Sequence, residues 1–301
     1  MRQIRKTLMG VTVVACLLVP ATASAQPSTA APSSTSQGKL DLARDKSKSP
    51  RTDLRRYPKG DTAPESRAKS LKPAAGQDES KQVLTSQPLA NGAIRYTSYT
   101  PAKGVAPEQL AAKLRRRGVK AEVTTPDETS GGISALAGSC GYGIARAPCP
   151  VEYWRNNGYD DPQMYFVDHS GSKWPTDAAV YTWNQSYGID SYYVWGGCPG
   201  YGGTHCVHVW SGNYGNSGWS GQTSYATNSD YSYIDGQTVV YLNDYYSMTS
   251  FETRSTACHE LGHALGLLHA VGSGSCMYSW SSAYPHSDDF ALLGGIYSVY
   301  R

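Results

Sequence analysis

Between Cys258 and His269 the chain reads Cys-His-Glu-Leu-Gly-His-Ala-Leu-Gly-Leu-Leu-His, and this stretch leaves a fold little freedom. His259 and His263 are four residues apart, so on a helix they share one face and their imidazoles converge. Phe251 to Leu268 accordingly reads as a helix. Imidazole nitrogen suits Zn²⁺, and two such ligands fix half of a tetrahedral site. Glu260 stands one helical step round from the first ligand, close enough to serve a water in the site without ligating. Gly266, three residues beyond His263, suits a left-handed exit from the helix. The chain can then swing back and offer His269 as third ligand. Three protein ligands leave one position open, the catalytic rather than the structural arrangement. The reading is one catalytic Zn²⁺ held by His259, His263 and His269, with Glu260 as general base.

Cysteine and charge place this stretch in its context. Cys140, Cys149, Cys198, Cys206, Cys258 and Cys276 all lie at or beyond residue 140, and a seventh, Cys16, lies near the start. An even set confined to the last part of a chain implies disulfides formed in an oxidising compartment. Proximity favours Cys140–Cys149, Cys198–Cys206 and Cys258–Cys276, though spacing alone leaves other pairings open. No C-x-x-C pair is present, which argues against a zinc finger. The net charge of +3 hides an asymmetry: residues 26–139 hold 19 Lys+Arg against 11 Asp+Glu, and residues 140–301 hold 5 against 13. The basic part is diluted with Ala, Ser, Pro and acids, so it reads as a pro-segment complementary to an acidic domain rather than a nucleic-acid tail. No nucleic-acid partner is expected.

The first 25 residues read as a secretory signal. Arg2, Arg5 and Lys6 precede an apolar run from Leu8 to Val19, and Ala23-Ser24-Ala25 offers a cleavage site before Gln26. The run is too short for a stable bilayer anchor. Val13-Val14-Ala15-Cys16 weakly resembles a lipoprotein box that would tether the protein through Cys16, but the cleavage site beyond it favours release. Residues 26–135 form the expected propeptide. Its first part, to about residue 90, is too poor in large apolar groups to offset chain entropy and reads as disordered. Its second part, 92–125, reads as a small folded unit: strand Ala93 to Tyr99, helix Pro107 to Arg117, strand Val119 to Thr124. Such a unit could chaperone or inhibit the domain after it.

Residues 136–301 form the expected catalytic domain. Met164 to His169, Ser191 to Trp195 and Cys206 to Trp210 read as strands, Trp174 to Tyr187 as a helix, and Gln222 to Tyr233 as irregular. Thr238 to Asn243 is a short β-branched strand, and Ser287-Asp288-Asp289 caps a last helix reaching Tyr297. The fold class is α+β, a twisted mixed sheet with three helices.

With these residues in view, the chain resembles the metzincin metallopeptidases. Their signature H-E-x-x-H-x-x-G-x-x-H followed by a Met-turn is matched by His259–His269 and then Met277. Met277-Tyr278, and Ser287-Asp288-Asp289-Phe290 with Tyr297, are similar to secreted bacterial matrixin-like members. Val240-Tyr241-Leu242-Asn243 is similar to the snapalysins, which however use Asp where this chain has His269. The resemblance spans about residues 160–300. It implies a secreted zinc metalloendopeptidase acting on proteins or peptides, with zinc at the floor of a cleft and the substrate lying along an edge strand. Thr238 to Asn243 is the candidate for that strand. Tyr278, Trp280 and Tyr284 are candidates for the primed-side wall. A Cys258–Cys276 bond would pin the Met-turn beneath the metal.

Departures from the pattern matter as well. The inhibitory P-R-C-G motif is absent and no Cys lies between residues 26 and 139, so latency arises otherwise, with the propeptide itself as partner. Ser279 stands where astacins place a ligating Tyr. Ca²⁺ is a candidate second ion, with Asp160, Asp161 and Asp168 available, although loop solvation is the plainer reading. His205 and His208 flank Cys206 and read as packed or solvated rather than as a second metal site, and His169 and His286 stand singly. A monomer without a stable membrane anchor is expected. The rival readings are a secreted zinc-containing binding protein and a cell-wall peptide hydrolase. Glu260 and the pro-segment argue against the first, and nothing in the sequence separates the second.

Overall fold

Thr249 starts the helix that carries the metal-binding stretch. Its side chain accepts from the Glu252 amide, and the Glu252 carboxylate accepts from the Thr249 amide, which satisfies two of the donors that a helix start leaves open. The helix runs Ser250–Ala264 and stops short of Leu268. The reason is Gly266, at φ +105°, a left-handed conformation that costs a glycine nothing.

The computed structural model describes residues 80–125, 139–159, 161–186, 188–195, 197–199 and 204–299. The expected signal segment, Cys16 and Asp160 lie outside the described residues. Within them the chain runs β1 (Gln82–Pro88), β2 (Ile94–Pro101), α1 (Pro107–Arg116), β3 (Glu122–Thr124), β4 (Ser139–Tyr142), β5 (Ala145–Pro148), β6 (Gln163–His169) and α2 (Thr176–Trp183). It continues with β7 (Asp190–Val194), β8 (His205–Gly212), β9 (Trp219–Thr227), β10 (Val239–Asn243), α3 (Ser250–Ala264) and α4 (Ser287–Val299). Among the described residues this is an α+β fold with a mixed sheet and four helices, α1 being the helix of the expected pro-segment.

Eight strands form one sheet in the order β3-β1-β2-β9-β10-β8-β6-β7, and β4 pairs with β5 in a separate hairpin. β10, β8, β6 and β7 run parallel to one another, whereas β9 is antiparallel both to β10 and to β2. Two expectations are corrected here. Gln222 to Tyr233 is not irregular, since β9 runs through its first half. Val239–Asn243 is not an edge strand, because β8 and β9 flank it on both sides. The reading of residues 26 to 90 as disordered is corrected at its end, where Gln82–Pro88 pairs with both β2 and β3.

The main core lies between one face of the sheet and α2, α3 and α4, and includes Trp154, Phe166, Trp183, Tyr193, Leu242, Leu261 and Tyr297. A smaller core on the other face unites Val83, Leu110, Ala111, Leu114 and Ala121 with Trp219 of β9. Burying apolar area at about 25 cal/mol per Å² makes each such large side chain worth roughly 1.5–3 kcal/mol. Residues 80–125 are thus joined to β9 by a strand ladder and by a shared aromatic contact.

Candidate metal centre

His259 and His263 sit on consecutive turns of α3, and the turn at Gly266 brings His269 back toward them. His259 Nε2 lies 3.0 Å from His263 Nε2 and 3.1 Å from His269 Nε2. All three rings are buried. Each ring on α3 has its other nitrogen spoken for: His259 Nδ1–H donates to the Cys276 carbonyl at 2.7 Å, and His263 Nδ1–H to that of Leu267 at 2.8 Å. Those bonds fix the tautomer and turn the Nε2 lone pairs inward. Burial drives the pKa of His259 well down and that of His263 to about 4, so both rings are neutral, as ligation requires. Inward lone pairs this close repel one another unless a cation lies between them. Nitrogens about 2.0–2.1 Å from a tetrahedral zinc stand little more than 3 Å apart, so the donor set fits Zn²⁺. Among the described residues this is the one such group of His, Cys, Asp or Glu.

Glu260 is buried beside the histidines. Its Oε1 accepts from Thr100 Oγ1 at 2.5 Å and its Oε2 from Thr223 Oγ1 at 2.7 Å. Burial pushes its carboxyl up to about 8, against the pull of those two hydroxyls. Gly221 of β9 faces the same carboxylate, and a Cβ there would come within 2.7 Å of Glu260 Cγ. Strand β9 is therefore kept small where it passes the acid. Thr223 comes from β9, whereas Thr100 comes from β2. Its neighbour Ser98 places Oγ 3.2 Å from His263 Nε2. None of Ser98, Thr100 and Thr223 was singled out in the sequence, because an isolated hydroxyl carries no spacing signal.

Met277 lies fully buried beneath the centre. Gly262, inside the metal-binding helix, has no room for a methyl group: a Cβ would meet Trp183 Cζ2 at 2.7 Å and Met277 Sδ closer still. The turn is held from below. Ser275 Oγ donates to Asp289 Oδ2 at 2.5 Å, and Met277 N to Ser275 Oγ at 2.9 Å. Asp289 thus does more than cap α4, since it fastens the turn; burial pushes its carboxyl up to about 6. Disulfides join Cys258 to Cys276, Cys140 to Cys149 and Cys198 to Cys206. The first ties α3 to the residue preceding Met277.

The remaining candidates have other surroundings. His205 lies between Asp235, at 2.6 Å, and the Arg155 carbonyl, at 2.7 Å. His208 Nδ1 is 3.0 Å from His169 Nε2, and the His169 ring stacks on Trp210. His286 pairs with Asp288 at 3.3 Å. Asp168 accepts from Ser170 and Tyr193, and Asp161 is buried. Of the three aromatic residues after Met277, Tyr284 lines a cavity of about 700 Å³ with Met248, Phe251 and Arg254 near the start of α3, and Ser279 is buried with its hydroxyl unpartnered.

The matrixin peptidase family model matches residues 179–297, the span from α2 to α4 that holds all three histidines, Glu260 and Met277. The match supports a metzincin-type zinc metallopeptidase over this segment. A comparison with curated proteins found no match. Among the strands of residues 139–299, the one that ends the sheet beside the metal centre is β9, and β2 lies against it.

Proposed function

We propose that this chain is a secreted zinc-dependent metalloendopeptidase, made as a precursor, that cleaves peptide bonds in proteins with Glu260 as general base. The observation that carries the reading is the convergence of three imidazoles, with His259 Nε2 3.0–3.1 Å from the Nε2 atoms of His263 and His269, and an acid buried alongside. His259, His263 and His269 would hold the zinc, which when bound supplies a Lewis acid for the attacking water and the scissile carbonyl. Strand β9 offers its backbone to an extended peptide, and its small residues Gly221 and Thr223 let the peptide approach Glu260. Glu260 removes a proton from the attacking water and delivers it to the departing amine. Thr223, part of the metzincin domain, keeps the carboxylate aimed once the pro-segment has left. Hydrolysis of an unfolded protein by the processed, zinc-loaded chain, run beside Glu260→Gln, tests the assignment. Loss of about three orders of magnitude or more with zinc retained is the expected result. Equal rates would refute the role of Glu260.

Latency on this reading comes from β2. It lies along β9 from Ile94↔Thr227 to Pro101↔Trp219, so it fills the edge that a substrate needs. Ser98 and Thr100 turn their side chains to His263 and Glu260, so the pro-segment also covers the centre itself. Release requires a cut between Arg117 and Cys140. Export is supported by the signal-like N-terminus and by the three disulfides. No helix among the described residues is long and apolar enough to cross a membrane.

A further inference from the structure

Strand β2 sends alternate side chains toward the face that holds the metal centre. Thr100 and Ser98 meet Glu260 and His263, and two residues upstream Tyr96 sinks into the main core at 2% exposure. We infer that the cleft selects an aromatic side chain two residues upstream of the residue facing the metal site, in a socket of Tyr225, Tyr233 and Glu152 that Tyr96 fills in the precursor. This rests on the peptidase reading above and names the substrate class of the same cleft.

The walls of the socket are aromatic. Tyr96 stands directly opposite Tyr225 on β9, with ring centroids 5.6 Å apart. Tyr225 meets Tyr233 edge-on at 5.1 Å, and Tyr233 stacks on Trp154 at 4.8 Å. Rings in offset or edge-to-face contact gain attraction beyond the area they bury. All of these residues except Tyr96 lie in the expected catalytic domain, residues 136–301, so removing the pro-segment takes out the occupant and leaves the walls. The metal centre shares one wall: a Cβ on Gly266, the turn that returns the chain to His269, would meet the Glu152 carbonyl at 3.0 Å and the Tyr233 hydroxyl at 3.5 Å.

The floor of the socket points to a ligand as well. Glu152 is 2% exposed; the Tyr225 hydroxyl bonds its carboxyl, yet Glu152 Oε2 and the Tyr233 hydroxyl have no hydrogen-bond partner. Buried polar atoms left so are rare and call for a cause. An occupant that comes and goes supplies one, since a departing strand admits water, or a substrate group, to both atoms. Burial lifts the Glu152 carboxyl to about 8, so at neutral pH it offers an acid proton rather than a counter-charge. That favours a ring over Lys or Arg. Peptides that join a sheet edge gain affinity from main-chain bonds and specificity from pockets for alternate side chains, which is the division of labour seen along β2.

Two measurements on processed enzyme, released from the full precursor by an added protease that cuts between Arg117 and Cys140, test the inference. Peptides spanning residues 92–102, with Tyr96 kept or changed to Phe, Ala or Arg, are titrated calorimetrically into the zinc-loaded Glu260→Gln form. A peptide library is then digested with the wild-type enzyme. The expected results are at least about tenfold weaker binding for Tyr96→Ala, Phe within a few-fold of Tyr, and Tyr or Phe enriched at one upstream position. Arg binding as well as Tyr, or cleavage with no upstream preference, overturns the socket while leaving the peptidase intact. A preserved Tyr96 ranking with no cleavage of any library member overturns the peptidase reading instead. Absence of binding by all four peptides together with a flat profile rejects the inference.

Discussion

Glu152 makes the structure's electrostatics measurable. Its carboxyl is raised from 4.5 to about 8 by burial, so the folded chain keeps a proton that the unfolded chain gives up between those values. The unfolded state therefore binds fewer protons in that window, and the unfolding free energy falls as pH rises through it. The penalty is absent below about pH 4.5, grows at about 1.4 kcal/mol per pH unit, reaches about 3 kcal/mol at pH 7 and levels off near 5 kcal/mol above pH 8. Glu152→Gln keeps the shape and cannot ionise. In a Glu260→Gln precursor, which neither cleaves itself nor titrates at position 260, urea unfolding followed by tyrosine fluorescence at pH 5, 6, 7 and 8 gives the curve directly. Adding Glu152→Gln is expected to leave stability near that of the parent at pH 5 and to raise it by about 3 kcal/mol at pH 7. The raised Asp289 and the lowered His263 are common to both proteins and cancel in the difference. A difference that stays flat within about 0.5 kcal/mol from pH 5 to 8 would show that Glu152 is hydrated or otherwise compensated. The account of the tyrosine socket would then lose its floor.

The contacts around the metal centre lead to three further outcomes. Ser98→Ala combined with Thr100→Val leaves the β2 ladder intact but removes both hydroxyls, and the precursor should mature about tenfold faster by gel assay; an unchanged rate would locate latency in the ladder alone. Replacing Cys258 and Cys276 together by Ser opens a loop of sequence separation 18 and should cost about 3 kcal/mol, seen as a lower midpoint of thermal unfolding. Gly262→Ala, which in an open helix gains up to about 1 kcal/mol, should here destabilise and loosen zinc binding, because its methyl meets Trp183 and Met277; calorimetry that finds a stabilised variant would refute the packing argument.

The histidine triad is legible because coordination demands fixed residue types at fixed spacings, and the helix end is marked by Gly266. The place of β9 in the sheet is not. Val239–Asn243 looked like the better strand because it is interior, and interior strands carry the apolar, β-branched residues by which strands are known. β9 reads Trp-Ser-Gly-Gln-Thr-Ser-Tyr-Ala-Thr, with Gly221 and Thr223 where it passes Glu260, and that need for small polar groups erases the strand signature. β1 escaped notice for a related reason. Its pairing with β2 and β3 settles it, and that information lies in partners distant along the chain. Asp289 was read correctly as a helix-start acid, but its hold on Ser275 depends on tertiary contact.

Strand β9 is flanked by β2 and β10, and the proposed processing would turn it into a terminal strand. An exposed edge with free amides and carbonyls accepts any chain able to lie extended beside it. A segment committed to its own helix or sheet must first give up those bonds, at the free-energy cost of local opening. The enzyme's first discrimination would then be conformational: unfolded, frayed or damaged proteins would be cut long before intact ones with the same sequence. Sequence preference would only rank the segments already loose enough to enter.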